Sequence, residues 1–189
     1  MTLAGLLPPL AGDVTLGNIP IGVVEERELR SRIAYFAEDA HLFATTVRDN
    51  LLVVRGDCGD DELTAALTLV GLGDWLATLP DGLATILVGG ASAVSAGQRR
   101  RLLLARVLLC RAPVLLLDEP TEHLDATDAD ALLRRLFDAD GGLLDAGRTV
   151  VVATHHLSDD ITCPRLIIEA SRYSGSGSRP PQPDLERTQ

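Results

Sequence analysis

The chain contains no lysine; all 17 of its basic residues are arginine. A phosphate loop of the kind that closes on Lys followed by Ser or Thr is therefore absent from these residues, because that lysine is what reaches the β- and γ-phosphates. Cysteine is scarce too. Cys58, Cys110 and Cys163 are an odd number at wide spacing with no Cys-x-x-Cys pair, which excludes a disulfide framework, offers no metal ligand set and fits reduced thiols. Positive charge is outnumbered, and a net charge of -10 argues against a nucleic-acid surface, which needs clustered cations to neutralise phosphates. The run Arg99 to Arg101 does not change this, since three successive helical residues fan around the cylinder and read as solvated or salt-bridged positions. Long apolar runs are lacking as well. The Leu-rich stretch from Leu102 to Leu117 is cut by Arg106 and Arg111, short of the roughly 20 residues of a spanning helix. The opening MTLAGLLPPLAG has no basic segment and meets Pro8-Pro9 early, so a signal peptide is not expected.

What is present suffices for a folded body. With 189 residues and 46% apolar content, one domain plus a tail is expected. Met1 to Leu7 read as the last turns of a helix, Gly12 to Ile21 as short strands around Gly17-Asn18, and Ile33 to Phe36 as a strand entering a polar loop. From about Val47 the pattern turns helical. Leu63, Ala66, Leu67 and Val70 recur at 3-4 spacing behind Asp60, Asp61 and Glu62, an amphipathic helix stopped near Gly71. The segment VGGASAVSAGQ then opens a long helix to about Cys110. Val114 to Leu117 and Val150 to Ala153 are continuous apolar runs, expected as parallel strands buried on both faces, with an inward-facing helix, Ala126 to Phe137, between them. The Gly/Ser/Pro-rich residues 171–189 read as a disordered tail, and no internal repeat is found.

Chemistry concentrates at four places. Asp118 and Glu119 end an apolar strand, where α/β folds present ligands. They suit a Mg²⁺ water shell and the orientation of an attacking water, and equally suit a strand end that reaches solvent. Ser95, Ala96, Gly97 and Gln98 start the long helix, with Ser95 as N-cap, so that backbone N–H groups face an anion. An ordinary capped helix reads the same way. His155 ends the second strand and is able to reach a phosphate above the same sheet edge as Glu119, or to be structural, while His156 points the other way. Asp125 reads locally as a helix N-cap.

In order along the chain, these segments resemble the ATP-binding cassette (ABC) transporter nucleotide-binding domain. VSAGQRRRLLLARVLL resembles the family's signature motif and the helix after it, VLLLDEP its Walker B strand, TEHLD its D-loop and ATHH its H-loop. Upstream, IAYFAEDAHLFATTVRDNLL resembles the Q-loop region, and WLATLPDGLATILVGG the helical subdomain's approach to the signature. Within the family, AEDAHLFATTVRDNL and GGASAVSAGQRRRLLLAR are most similar to the CydC-type subunit of the heterodimeric thiol-reductant exporter for cytochrome bd assembly. The resemblance implies an α/β fold, a partial P-loop NTPase core with a parallel sheet plus an all-helical subdomain. The domain would span residues 1–170, with the helical part at about 47–95.

The same resemblance implies ATP and Mg²⁺ as cofactors. Asp118 would take the Mg²⁺ water shell, Glu119 would be the catalytic carboxylate, His155 would contact the γ-phosphate and Asp125 would communicate across a dimer. Ser95, Ala96, Gly97 and Gln98 would close over the ATP held by a partner. It implies a second ABC subunit and a transmembrane domain as partners, and a cytoplasmic position at the inner face of the plasma membrane when assembled. Three departures stand out. Glu38 occupies the Q-loop glutamine's place at the metal and lacks the amide's donor. Val94 and Ala96 replace Leu and Gly in the signature. The loop and lysine of Walker A, expected before MTLAGLLPPLAG, are absent, which reads as a truncated domain whose isolated chain does not hydrolyse ATP and whose strands are left with open apolar surface. A non-catalytic module lending its signature to an intact partner is the alternative. A DNA-associated ABC ATPase is disfavoured by the acidic charge and the absence of long heptads.

Overall fold

The computed structural model describes residues 1–37, 39–138, 142–144 and 147–167. A three-stranded parallel sheet forms the centre, in the order β3 (Ile33–Phe36), β4 (Val114–Asp118), β5 (Thr149–Ala153). Before it come the two-residue strands β1 (Thr15–Leu16) and β2 (Ile19–Pro20), an antiparallel pair around Gly17-Asn18, and helix α1 (Glu26–Arg32). The expected opening helix is a single 3-10 turn, Thr2–Ala4, ended by Gly5 in the left-handed conformation. Between β3 and β4 lie the helices α2 (Val47–Leu52), α3 (Asp60–Leu69), α4 (Gly73–Thr78) and α5 (Ala96–Leu109), and α6 (Ala126–Phe137) joins β4 to β5.

Helix α3 forms where the periodicity places it. Leu63, Ala66 and Leu67 are buried, acids fill its first turn and Gly71 stands at φ 78 just beyond its end, where only glycine is unstrained. Leu63 and Leu67 are fully buried, each contributing about 2–3 kcal/mol of transfer free energy. Both pack in a core shared with Val47, Leu51, Leu102 and Leu115, so the helical segment and the sheet enclose one continuous interior.

Register sorts β4 onto two faces. Leu115 and Leu117 join that main core, whereas Leu116 joins a smaller cluster with Ala4, Ile21, Leu29 and Ile33, as alternation along a pleated strand requires. Burial on both faces, expected for the two apolar runs, holds for β4 and fails for β5. There Val150 and Val152 pack against the main core, but Val151 is 41% exposed. The small cluster reaches across β3 and β4 and stops short of Val151, which lies opposite Leu116.

Buried polar bonds tie the parts together. Arg106 in α5 is 5% exposed and donates to the carbonyls of His41 and Asn50 and to Asn50 Oδ1, at 2.7, 2.7 and 3.0 Å. Burial holds its guanidinium down to about 10. Asn50, fully buried, accepts from Phe43 N–H and donates to the Phe43 and Thr46 carbonyls. The Arg run is anchored rather than solvated. Arg99 donates to Ala40 O, Arg100 is buried, and Arg101 pairs with Asp128 and donates to Val70 O.

Candidate functional site

The residues singled out in the sequence fall into two groups. The first stands at the carboxyl end of β4. Asp118 is half-buried, and its Oδ2 accepts a 2.7 Å bond from the hydroxyl of Tyr35 in β3. The Tyr35 hydroxyl is pushed up to about 12, chiefly by burial and then by that bond. Glu119 follows at φ 43, a conformation that costs a non-glycine residue about 1–3 kcal/mol. Its N–H donates to Ala153 O in β5, and its Oε1 accepts from His155 N–H at 3.0 Å and lies 3.1 Å from His155 Nδ1. That bond, followed by the charge of Glu119, raises the exposed His155 above its ordinary 6.5. His156 faces Asp130 instead, 3.7 Å away, as alternation requires.

Two residues of this group were not legible in sequence. Tyr35 reaches Asp118 because β3 pairs with β4 so that Tyr35 lies opposite Leu116, two residues before Asp118 on the same face. Glu122 lies within 4.8 Å of Glu119 and His155, measured between ligand atoms. Its neighbourhood follows from the turn in which Glu122 N–H donates to Glu119 O.

The second group lines a cleft of about 310 Å³ bounded by Ser95, Gly97, Gln98, Asp125 and Trp75, with the Arg101–Asp128 pair in its wall. Ser95 caps α5 in a reciprocal box: Oγ accepts from Gln98 N–H at 3.1 Å, and Gln98 Oε1 accepts from Ser95 N–H at 2.9 Å. This arrangement follows directly from a Ser three residues before a Gln. It leaves the Ser95 hydroxyl proton for an outside acceptor. Among the described residues no acceptor meets the N–H of Ala96 or Gly97, the donors that a helix start leaves over. A Cβ at Gly97 would meet His123 O and Leu124 only at ordinary contact distance. Asp125 caps α6 through Asp128 N–H at 2.9 Å. Neither Asp118, Glu119 nor His155 lines this cleft.

The donor sets decide which groups fit. Asp118 is a hard oxygen donor with one oxygen engaged by Tyr35 and no further bond among the described residues, which suits Mg²⁺, an ion held by one or two carboxylates and otherwise by water. The α5 start fits the terminal oxygens of a phosphate. A whole triphosphate is not matched, since the chain has no lysine and Arg101, the cation of the cleft, is committed to Asp128 and Val70 O. Glu38, expected beside the metal, and the tail 171–189 lie outside the described residues.

Comparison with known proteins gives the family and the fold. The ABC transporter family model matches residues 1–122. The mycobactin import ATP-binding/permease protein IrtB of Mycolicibacterium thermoresistibile is 36% identical over 177 residues, covering 93% of this chain and 30% of its own length. The glutathione/L-cysteine transport system ATP-binding/permease protein CydC of Escherichia coli is 39% identical over 149 residues, 79% of this chain and 25% of that protein. An ATP-dependent lipid A-core flippase of Chromobacterium violaceum is 34% identical over 171 residues, 88% and 28% of the two chains. Among solved structures, a bacterial Atm1-family ABC exporter with ATP bound superposes with a TM-score of 0.68 at 26% identity, covering 82% of this chain and 26% of that one. The chain thus spans less than a third of the relatives it matches.

Proposed function

This chain belongs to the ABC transporter family, and from that premise we propose that it serves as the ATP-binding part of an exporter and acts by donating its signature segment to an ATP site completed by a second ABC subunit. The carrying observation is the division of the site. Ser95 and Gly97, whose donors are left over at the start of α5, line a cleft apart from Asp118, Glu119 and His155, which supports an anion-binding edge offered to a partner rather than to the chain's own carboxylates. ATP held there would supply the phosphoanhydride bond whose hydrolysis drives transport, and Mg²⁺ near Asp118 would neutralise its phosphates.

On the chain's side, Asp118 would hold the metal's water shell and Glu119 would take the proton of the attacking water. His155, held against Glu119, would present its ring to the terminal phosphate. Asp125 would carry the state of the cleft into α6, whose N-terminus it caps. The partners would be that second subunit and a transmembrane domain. Phe43, Ile86 and Val88, exposed on adjoining segments, support a docking face for the latter, and a location at the inner face of the plasma membrane would follow from that docking. No helix among the described residues is long and apolar enough to cross a membrane. The thiol-reductant exporter is the favoured type, supported by the residues around Ser95 and by the CydC identity, ahead of the mycobactin-import and lipid A-core flippase types.

Purified with Mg²⁺ and ATP, the chain alone is expected to show no hydrolysis. Added to an intact CydD-type ATP-binding domain, it is expected to change that domain's rate, and Ser95→Arg to remove the change by filling the cleft. An unchanged rate with both versions would discard the proposal.

A further inference from the structure

Two carboxylates stand side by side at the end of β4, and each is gripped from a different strand. Glu119 is held from the β5 side through His155 and Ala153 O. Asp118 is held from the β3 side by the hydroxyl of Tyr35, at 2.7 Å, its one side-chain hydrogen bond among the described residues. The pairing of Tyr35 with Leu116 puts the phenol on the same face as Asp118, and the ring packs against the small cluster around Ile33 and Leu116, so its position is set by the core. A free aspartate turns about χ1 and χ2 and presents either oxygen. With Oδ2 capped by a fixed donor, Oδ1 is left as the oxygen with no hydrogen bond among the described residues.

We infer that Tyr35 is the positioning residue for the metal carboxylate: by occupying Oδ2 it directs Oδ1 of Asp118 toward the divalent cation and its waters. The inference rests on the reading of Asp118 as that carboxylate. A donor behind a ligand raises the cation's affinity by sparing the ligand the cost of being ordered on binding. Tyr35→Phe keeps the ring and its packing and removes only the donor.

The test is Mn²⁺ binding to the full chain, followed by the loss of the free-ion electron paramagnetic resonance signal, for the unaltered chain, Tyr35→Phe and Asp118→Asn, each with a thermal melt. The expected result is binding to the unaltered chain, weakening of about tenfold in Tyr35→Phe with an unchanged melt, and loss of binding in Asp118→Asn. Equal affinity in Tyr35→Phe, with binding lost in Asp118→Asn, overturns the inference and leaves the reading of Asp118 standing. Weakening that comes with a lowered melt makes Tyr35 a packing residue and also overturns it. No binding by the unaltered chain, or full binding by Asp118→Asn, overturns the reading of Asp118 and the inference with it.

Discussion

Glu119 holds an unfavourable backbone angle, φ 43, and keeps it because bonds to Ala153 O and from His155 fix it from the neighbouring strand. The same contact sets the protonation of the imidazole. Since Glu119 raises His155 above its ordinary value, the pair's attraction is fully present below the ordinary histidine range and is lost as pH rises through the raised value. An NMR titration is expected to place the His155 midpoint above the ordinary histidine value of 6.5. In Glu119→Gln the charge is gone and the midpoint is expected to fall back to the ordinary range. A midpoint unmoved by that substitution would show that Glu119 does not set the protonation of His155.

Helices here are joined by buried bonds as much as by apolar contact. Arg106 links α5 to the first turn of α2 and to the loop before it, meeting the buried carbonyl of Asn50 and the part-buried one of His41. Removing its guanidinium leaves those acceptors unpaired, so Arg106→Met is expected to lower unfolding free energy by about 3 kcal/mol. Arg101→Met, at a half-exposed pair with Asp128, is expected to cost less than about 1 kcal/mol. Urea denaturation of both variants separates the cases, and equal losses would refute the distinction. A sequence scan sees two arginines on one helix, because the acceptors of Arg106 lie more than fifty residues away in the chain.

Across the whole molecule the sheet ends unevenly. Among the described residues β5 pairs only with β4, and Val151 stands exposed on a face that the small cluster leaves uncovered. Such an edge invites pairing with a second chain, and a lysine on it discourages that. Val151→Lys is therefore expected to reduce self-association, seen as lower light scattering at equal concentration with an unchanged melt. Scatter as high as in the unaltered chain would place the association elsewhere.

Periodicity and punctuation sufficed for the local elements. The strand at Ile33, the helix behind Asp60, the Ser95 and Asp125 caps and the strand at Val114 are all set by neighbours within a few residues, through backbone sterics, capping and the side on which apolar groups fall. The order of motifs likewise sufficed for the family. Open apolar surface on the strands was expected, but the tertiary structure alone decided that it falls on β5 at Val151, that Tyr35 caps Asp118, and that the Ser95 cleft and the Asp118 carboxylate stand apart. Those depend on strand order and register, which are set by long-range packing and leave no periodic trace in any one segment.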